Sequence, residues 1–94
     1  MIRSFADAET ELIWSGRRSR RLPPDIQAAA LRKLRLLNQA LQLDDLRVPP
    51  GNRLEALRGD RVGEHSIRIN DQWRICFVWS EGGPSRVAIV DYHD

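Results

Sequence analysis

His65-Ser66-Ile67-Arg68-Ile69-Asn70-Asp71-Gln72-Trp73-Arg74-Ile75-Cys76-Phe77 is the stretch that decides the fold. In its first half Ile67 and Ile69 share one side of an extended chain, leaving Ser66 and Arg68 on the other. In its second half Trp73, Ile75 and Phe77 share a side, continued by Trp79, with Arg74, Cys76 and Val78 opposite. Directly opposed residues of an antiparallel pair point the same way. A two-residue loop would oppose Ile69 to Arg74 and mix the faces. A three-residue loop at Asn70-Asp71-Gln72 opposes Ile69 to Trp73 and Ile67 to Ile75, and so predicts a hairpin with one apolar and one polar face. The same register sets Arg68 directly opposite Arg74. Like charges so placed destabilise a sheet, so this arginine pair needs a reason.

Downstream, a loop of two or four residues within Glu81–Pro84 opposes Ile75 to Val90, Phe77 to Ala88, Cys76 to Ile89 and Arg74 to Asp91. Arg68, Arg74 and Asp91 then form a row across three strands, with His93 leaning to the same side. An odd loop would send Asp91 toward the apolar face. The row is either a salt bridge on a solvated face or an anion site with a titratable neighbour. Two guanidiniums offer fork geometry suited to phosphate, and one aspartate does not neutralise both. This register also puts Val87 and Ile89 on the charged face, where they would seat a base or pack beneath a partner segment.

Working outward, Arg53 to Leu57 reads as a strand, followed by the polar loop Arg58 to Gly63, then strands His65 to Ile69, Trp73 to Ser80 and Arg86 to Asp91 or Tyr92. The other half is helical. Ile2 to Phe5 predicts an edge strand, and Asp7 caps a helix carrying Glu9 and Glu11 in its first turns, ended by Gly16. Arg17-Arg18-Ser19-Arg20-Arg21 bridges to Leu22-Pro23-Pro24-Asp25, with Pro24 near the first position of a second helix. That helix is expected from Asp25 to about Leu43, its core stripe being Ile26, Ala30, Leu34, Leu37 and Leu41. The expected fold is α+β, a single domain over residues 1–94: two N-terminal helices packed on a mostly antiparallel sheet of about five strands.

Composition agrees with one globular domain: 94 residues, 41% hydrophobic, and 15 Lys+Arg against 13 Asp+Glu for a net charge of +2. No run of apolar residues is long enough for a membrane span, and the N-terminus lacks the apolar core of a signal peptide. Cys76 is the only cysteine, which excludes an internal disulfide and a multi-cysteine zinc site; a reducing cytoplasm is the expected compartment. Every basic residue but Lys33 is arginine. Residues 1–35 carry a net +4 and residues 36–94 a net −2. Phosphate binding follows local field more than total charge, so a near-neutral sum leaves a nucleic-acid partner open.

Cleaving RNA requires a base for the 2′-OH, an acid for the departing 5′-oxygen and cations around the phosphorane, with no metal needed. His93 is the natural acid or base at neutral pH, and Glu55 is a candidate base. Arg68, Arg74 and Arg58 are candidate phosphate stabilisers, and Tyr92 can stack on a base or donate a hydrogen bond. The plainer readings are a solvated terminal histidine and a strand glutamate that keeps the sheet soluble. His65 is expected near the core. No metal site or cofactor is expected, since the two histidines lie far apart without ligand spacing and no phosphate-cradling glycine motif occurs. Arg17, Arg18, Arg20 and Arg21 suit nucleic acid, an acidic partner, or simply a solvated loop.

Leu54-Glu55-Ala56-Leu57-Arg58-Gly59-Asp60-Arg61, Ser66-Ile67-Arg68-Ile69-Asn70, Trp73-Arg74-Ile75-Cys76-Phe77 and the terminal Val90-Asp91-Tyr92-His93 closely resemble the HigB toxins of the RelE/ParE superfamily, as does the opening Met1-Ile2-Arg3-Ser4-Phe5. The resemblance implies a RelE-like microbial RNase fold and a type II toxin. Its implied activity is ribosome-dependent, metal-independent cleavage of mRNA that inhibits translation. It further implies neutralisation by a cognate HigA-like helix-turn-helix antitoxin, with operator DNA reached only through that antitoxin. Asp91, Tyr92 and His93 match the family's C-terminal catalytic cluster, Arg74 matches its strand arginine with Arg68 beside it, and Arg58 stands where many relatives have lysine. Many relatives have histidine where this chain has Glu55. The expected meeting of Glu55, Asp91 and His93 on one sheet face assigns His93 as acid, with Glu55, or Asp91 acting through His93, assisting proton removal; Arg58, Arg68, Arg17, Arg18, Arg20 and Arg21 are the candidate RNA-binding residues. A ParE-like gyrase inhibitor and a catalytically weak RNA- or antitoxin-binding relative are the alternatives; the terminal Asp-Tyr-His favours the nuclease.

Overall fold

Asp7 starts the first helix by accepting the Thr10 backbone N–H at 2.7 Å on its carboxylate, satisfying one of the helix's free donors. In the computed structural model, which describes residues 1–92, this helix α1 spans Ala8–Trp14 and α2 spans Pro24–Gln39. Pro24 opens α2, where its missing N–H costs nothing. The helix ends four residues before the expected Leu43. Ala40 turns extended, and the Asp45 carboxylate accepts the backbone N–H groups of Leu41 (2.9 Å) and Gln42 (3.2 Å), drawing the chain into a 3-10 turn over Leu43–Arg47. Leu41 therefore leaves the core stripe and is 91% exposed, while Leu46 is buried in its stead.

The sheet has four antiparallel strands in sequential order: β1 (Glu55–Ala56), β2 (His65–Arg68), β3 (Trp73–Ser80) and β4 (Gly83–Asp91). The expected strand at residues 53–57 is thus reduced to two residues. The N-terminal segment runs beside β4 with a single parallel bridge between Phe5 and Val87: Ala6 N–H donates to Val87 O, Val87 N–H to Ser4 O, Arg3 N–H to Pro84 O, and Arg86 N–H to the Ser4 hydroxyl. Both helices cover one face of the sheet. Ile13, Ile26, Ala30, Leu34 and Leu37 pack there against Ile67, Ile75, Phe77, Val87 and Ile89. Thr10, fully buried, adds a polar tie by accepting the Ile89 N–H on its hydroxyl at 2.9 Å. His65 is half-buried and stacks on Phe77, its ring centroid 6.3 Å away.

The β2–β3 hairpin has the expected register, with Ile67 opposite Ile75 and Arg68 opposite Arg74. The β3–β4 hairpin does not. Its turn is Glu81-Gly82, an even loop as anticipated, and Val78 pairs with Ser85; but Cys76 pairs with Ala88, so β4 carries one extra residue opposite Phe77. That bulge sits at Arg86–Val87, with Arg86 at φ 52°. Beyond it Ile75 faces Ile89, Arg74 faces Val90, and Trp73 faces Asp91. Asp91 accordingly points to the helix-covered side, and the row Arg68–Arg74–Asp91 does not form.

The physical reason lies in Val87 and Ile89, which an unbulged strand would strand on the charged face. The bulge turns both into the core, where Val87 is fully buried and Ile89 nearly so. Burying a branched aliphatic side chain is worth about 1.5–3 kcal/mol. Holding one non-glycine residue in the left-handed region costs about 1–2 kcal/mol. Two burials outweigh one strained arginine.

Candidate functional site

The polar face of the sheet is organised around Arg74. Its side chain is 8% exposed, and its Nε donates to the Ser66 hydroxyl at 2.7 Å. Nη2 donates to the backbone oxygens of Arg53 and Ser66. Every one of these partners is neutral. Among the described residues the ion pairs are Arg47–Asp44, Arg61–Glu64 and Arg68–Asp71, so no carboxylate salt-bridges Arg74. A largely buried cation without a carboxylate partner among the described residues is a candidate anion site. At an effective dielectric near 20, a unit negative charge 4 Å away gains about 4 kcal/mol.

Arg68 stands across the ladder from Arg74 but is turned aside by its ion pair with Asp71, in the β2–β3 loop. Asp71 is 97% exposed on its side chain, so this tether is weak. Asn70 shapes the same loop by accepting the N–H groups of Gln72 and Trp73 on its side chain. Lys33 of α2 adds to the positive field near Arg68. Burial and the charges of Arg32 and Arg68 pull its pKa below the usual lysine value, while its Nζ donates to the buried Asn52 side chain.

Because the bulge moves the alternation by one, Tyr92 takes the side once expected for Asp91. Its backbone N–H donates to Gln72 O at 2.6 Å, and its ring centroid lies 6.0 Å from the Arg74 guanidinium carbon. Glu55 lies opposite Ser66 on β1, which brings it to the same face. Two adjoining concavities result: Arg53, Glu55, Arg68, Asn70, Asp71, Arg74 and Tyr92 line one, and Glu55, Ala56, Leu57, Arg58 and Tyr92 line the other. Glu55 and Tyr92 border both. An extended polyanion crossing this surface would pass two carboxylates, an aromatic ring and four arginines.

Of the residues expected from sequence, Arg58, Arg68, Arg74, Glu55 and Tyr92 come together. Asp91 is on the other side of the sheet, where the Gln72 side-chain amide donates to it at 3.2 Å. His93 lies outside the described residues. Arg17, Arg18, Arg20 and Arg21 sit in the α1–α2 loop, on the helical layer and away from this face. Sequence reading missed two contributors. Ser66 was legible in principle, since the register puts it diagonal to Arg74 on the same face. Arg53, which supplies a carbonyl to Arg74 and a side chain to the cleft, adopts a left-handed conformation that no local motif announces. Cys76, fully buried behind this face with its thiol pKa raised by burial, contributes no nucleophile.

A helical pair on one face of a short antiparallel sheet, with an arginine-lined cleft on the other, defines a small RelE-like α+β domain. The chain belongs to the HigB-like toxins: the family described as "RelE-like toxin of type II toxin-antitoxin system HigB" matches residues 3–93. Toxin HigB-1 of Vibrio cholerae serotype O1 (strain ATCC 39315 / El Tor Inaba N16961) is 45% identical over 78 residues, covering 83% of this chain and 78% of that protein. An uncharacterized protein of Haemophilus influenzae (strain ATCC 51907 / DSM 11121 / KW20 / Rd) is 32% identical over 59 residues, covering 63% of this chain and 58% of that one. Membership in a type II system implies an antitoxin partner. Among the described residues no helix is long and apolar enough to cross a membrane.

Proposed function

We propose that the chain is a ribosome-dependent mRNA endoribonuclease acting in the cytoplasm, without a metal, and neutralised by a helix-turn-helix antitoxin. The observation that carries this reading is Arg74, buried, fixed by Ser66 and the Arg53 carbonyl, and free of any carboxylate ion pair among the described residues. Arg74 and Arg68 hold the scissile phosphate and stabilise the charge that grows on its oxygens. Glu55 takes the proton of the 2′-OH. The 2′-oxygen then bonds to phosphorus while the P–O5′ bond breaks, and the leaving oxygen takes a proton from His93. The products are a 2′,3′-cyclic phosphate and a 5′-OH. Tyr92 stacks on a flanking base, and Arg58 and Arg53 guide the strand along the cleft.

The test is primer extension on translated mRNA after induction of the wild type, Arg74→Gln, Glu55→Gln and His93→Gln. Codon-spaced cuts are expected for the wild type. Arg74→Gln should lower the cleavage rate by about 10²–10³, the usual loss for one oxyanion-stabilising donor. Each proton-transfer variant should lose about 10²–10⁴. Wild-type cleavage by both Glu55→Gln and His93→Gln overturns the acid–base assignment. Gyrase-linked DNA damage without mRNA cuts overturns the nuclease reading itself.

A further inference from the structure

The arginine run at 17–21 is not part of the cleft, yet the fold takes trouble over it. Ser19, at its centre, is 2% exposed and anchors the loop. Its hydroxyl donates to Glu9 Oε1 and accepts the N–H groups of Arg21 and Leu22. Gln27 of α2 accepts the Ser19 N–H and donates to the carbonyls of Ser19 and Leu22. The loop is therefore a built turn displaying Arg17, Arg18, Arg20 and Arg21, all exposed. None of the four takes part in an ion pair among the described residues. Residues 16–35 hold seven cations and one carboxylate in a chain whose total is only +2.

Beside this loop runs a groove between α1 and α2. Ile13 and Leu31 give it an apolar floor, Ala28 and Gln27 one wall, and Arg17 and Arg18 a cationic rim. Farther along α2, Arg32 and Arg35 continue the exposed side that carries Ala28. We propose that this groove docks an acidic amphipathic segment of the antitoxin, its apolar residues on Ile13 and Leu31 and its carboxylates on the arginine rim. Charge complementarity selects the acid, and the apolar floor selects a protein over RNA. A phosphate backbone has nothing to place on Ile13 and Leu31, and the groove lining offers no aromatic ring on which a base could stack. The prearranged loop lowers the ordering cost of binding. The groove lies on the helical layer and the cleft on the opposite face of the sheet, so an antitoxin held here leaves Arg74 uncovered by that contact. The proposal rests on the family's antitoxin partner and is independent of the nuclease reading.

Three proteins test it: wild type, Arg17→Glu/Arg18→Glu, and Ala28→Arg. Ala28 is exposed, so its replacement leaves the core intact. Thermal melting confirms folding, and Ala28→Arg still decides the matter if the double variant fails to fold. Binding is measured by calorimetry against the purified cognate antitoxin, and by co-sedimentation against 70S ribosomes carrying mRNA. Both variants should weaken antitoxin binding about tenfold or more. Ala28→Arg is the sharper probe, because it fills the groove while adding a positive charge. An RNA surface would bind ribosomes as well or better after that change. Unchanged antitoxin affinity in Ala28→Arg overturns the proposal. Unchanged antitoxin binding with weaker ribosome binding by the double variant assigns the run to RNA instead. Absent mRNA cleavage with antitoxin binding still lost in both variants defeats only the nuclease reading.

Discussion

Replacing Ser66 with alanine removes one oxygen from a fully buried position and should unsettle the whole cleft. The lost hydroxyl accepts the Arg74 Nε–H at 2.7 Å, in a setting where both residues are shut away from water. Hydrogen bonds to charged groups contribute about 1.5–3 kcal/mol, and a buried donor left unmet brings its desolvation cost with it. A loss near 2 kcal/mol in a domain of this size lowers the melting temperature by about 8–15 °C. The guanidinium keeps its grip on the Arg53 and Ser66 carbonyls through Nη2, so it pivots instead of leaving. A misplacement of about 1 Å at a reacting centre costs about a hundredfold in rate, and cleavage of translated mRNA should fall by that order. The decisive assay is a double-mutant cycle with Arg74→Met, followed by urea melts. If the cost of Ser66→Ala comes from stranding Arg74, most of it vanishes once Arg74 is gone, giving a coupling of about 1.5–3 kcal/mol. A serine that costs as much to remove with Arg74 absent as with it present would refute this account of how the cation is held.

Three further outcomes can be measured. Asp7→Ala strips the cap from α1 and should destabilise the domain by about 1 kcal/mol, seen as a melting shift of about 4–8 °C; no shift would show that Thr10, not the cap, holds the helix. Arg86→Gly relieves the left-handed strain at the bulge and should stabilise by about 0.5–1 kcal/mol, whereas Arg86→Val should destabilise; the reverse order in a denaturant titration would contradict the bulge energetics. Asp45 has its pKa lowered by the backbone N–H groups of Leu41 and Gln42, so its folded value lies below its unfolded one. Its stabilisation is then present above the ordinary carboxylate range and lost as pH falls through the folded value. The melting difference between wild type and Asp45→Asn should close on acidification, and a gap that widens would reverse the sign.

Much of this was legible in the sequence where side-chain alternation is strict and one side is apolar. Ile67, Ile69, Trp73 and Ile75 exclude a one-residue shift of the hairpin, because that shift mixes arginine with the core. Asp7 and Pro24 mark their helix starts through chemistry that acts within one turn. What escaped were decisions taken between distant parts. The end of α2 depends on Asp45, six residues past the last helical residue Gln39, reaching back to Leu41 and Gln42. The bulge depends on burying Val87 and Ile89 against helices that a local reading does not see. The warning was present in the sequence, as two branched aliphatic residues left without purpose on a charged face. Tyr92 entered the site by the same shift that removed Asp91.

The extra residue in β4 also makes the composition of the cleft a matter of counting. Side chains beyond Arg86 alternate between two environments, and which set meets Arg74 depends on whether the number of residues inserted before them is odd or even. A substitution at Arg86 tunes energy by degrees; a deletion there exchanges Tyr92 for Asp91 in one step, replacing an aromatic ring with a carboxylate beside Arg74. Relatives differing by one residue between Ser85 and Ala88 would thus have unlike clefts despite nearly identical sequences. Length in this short segment decides the composition of the cleft as much as the identity of any residue in it.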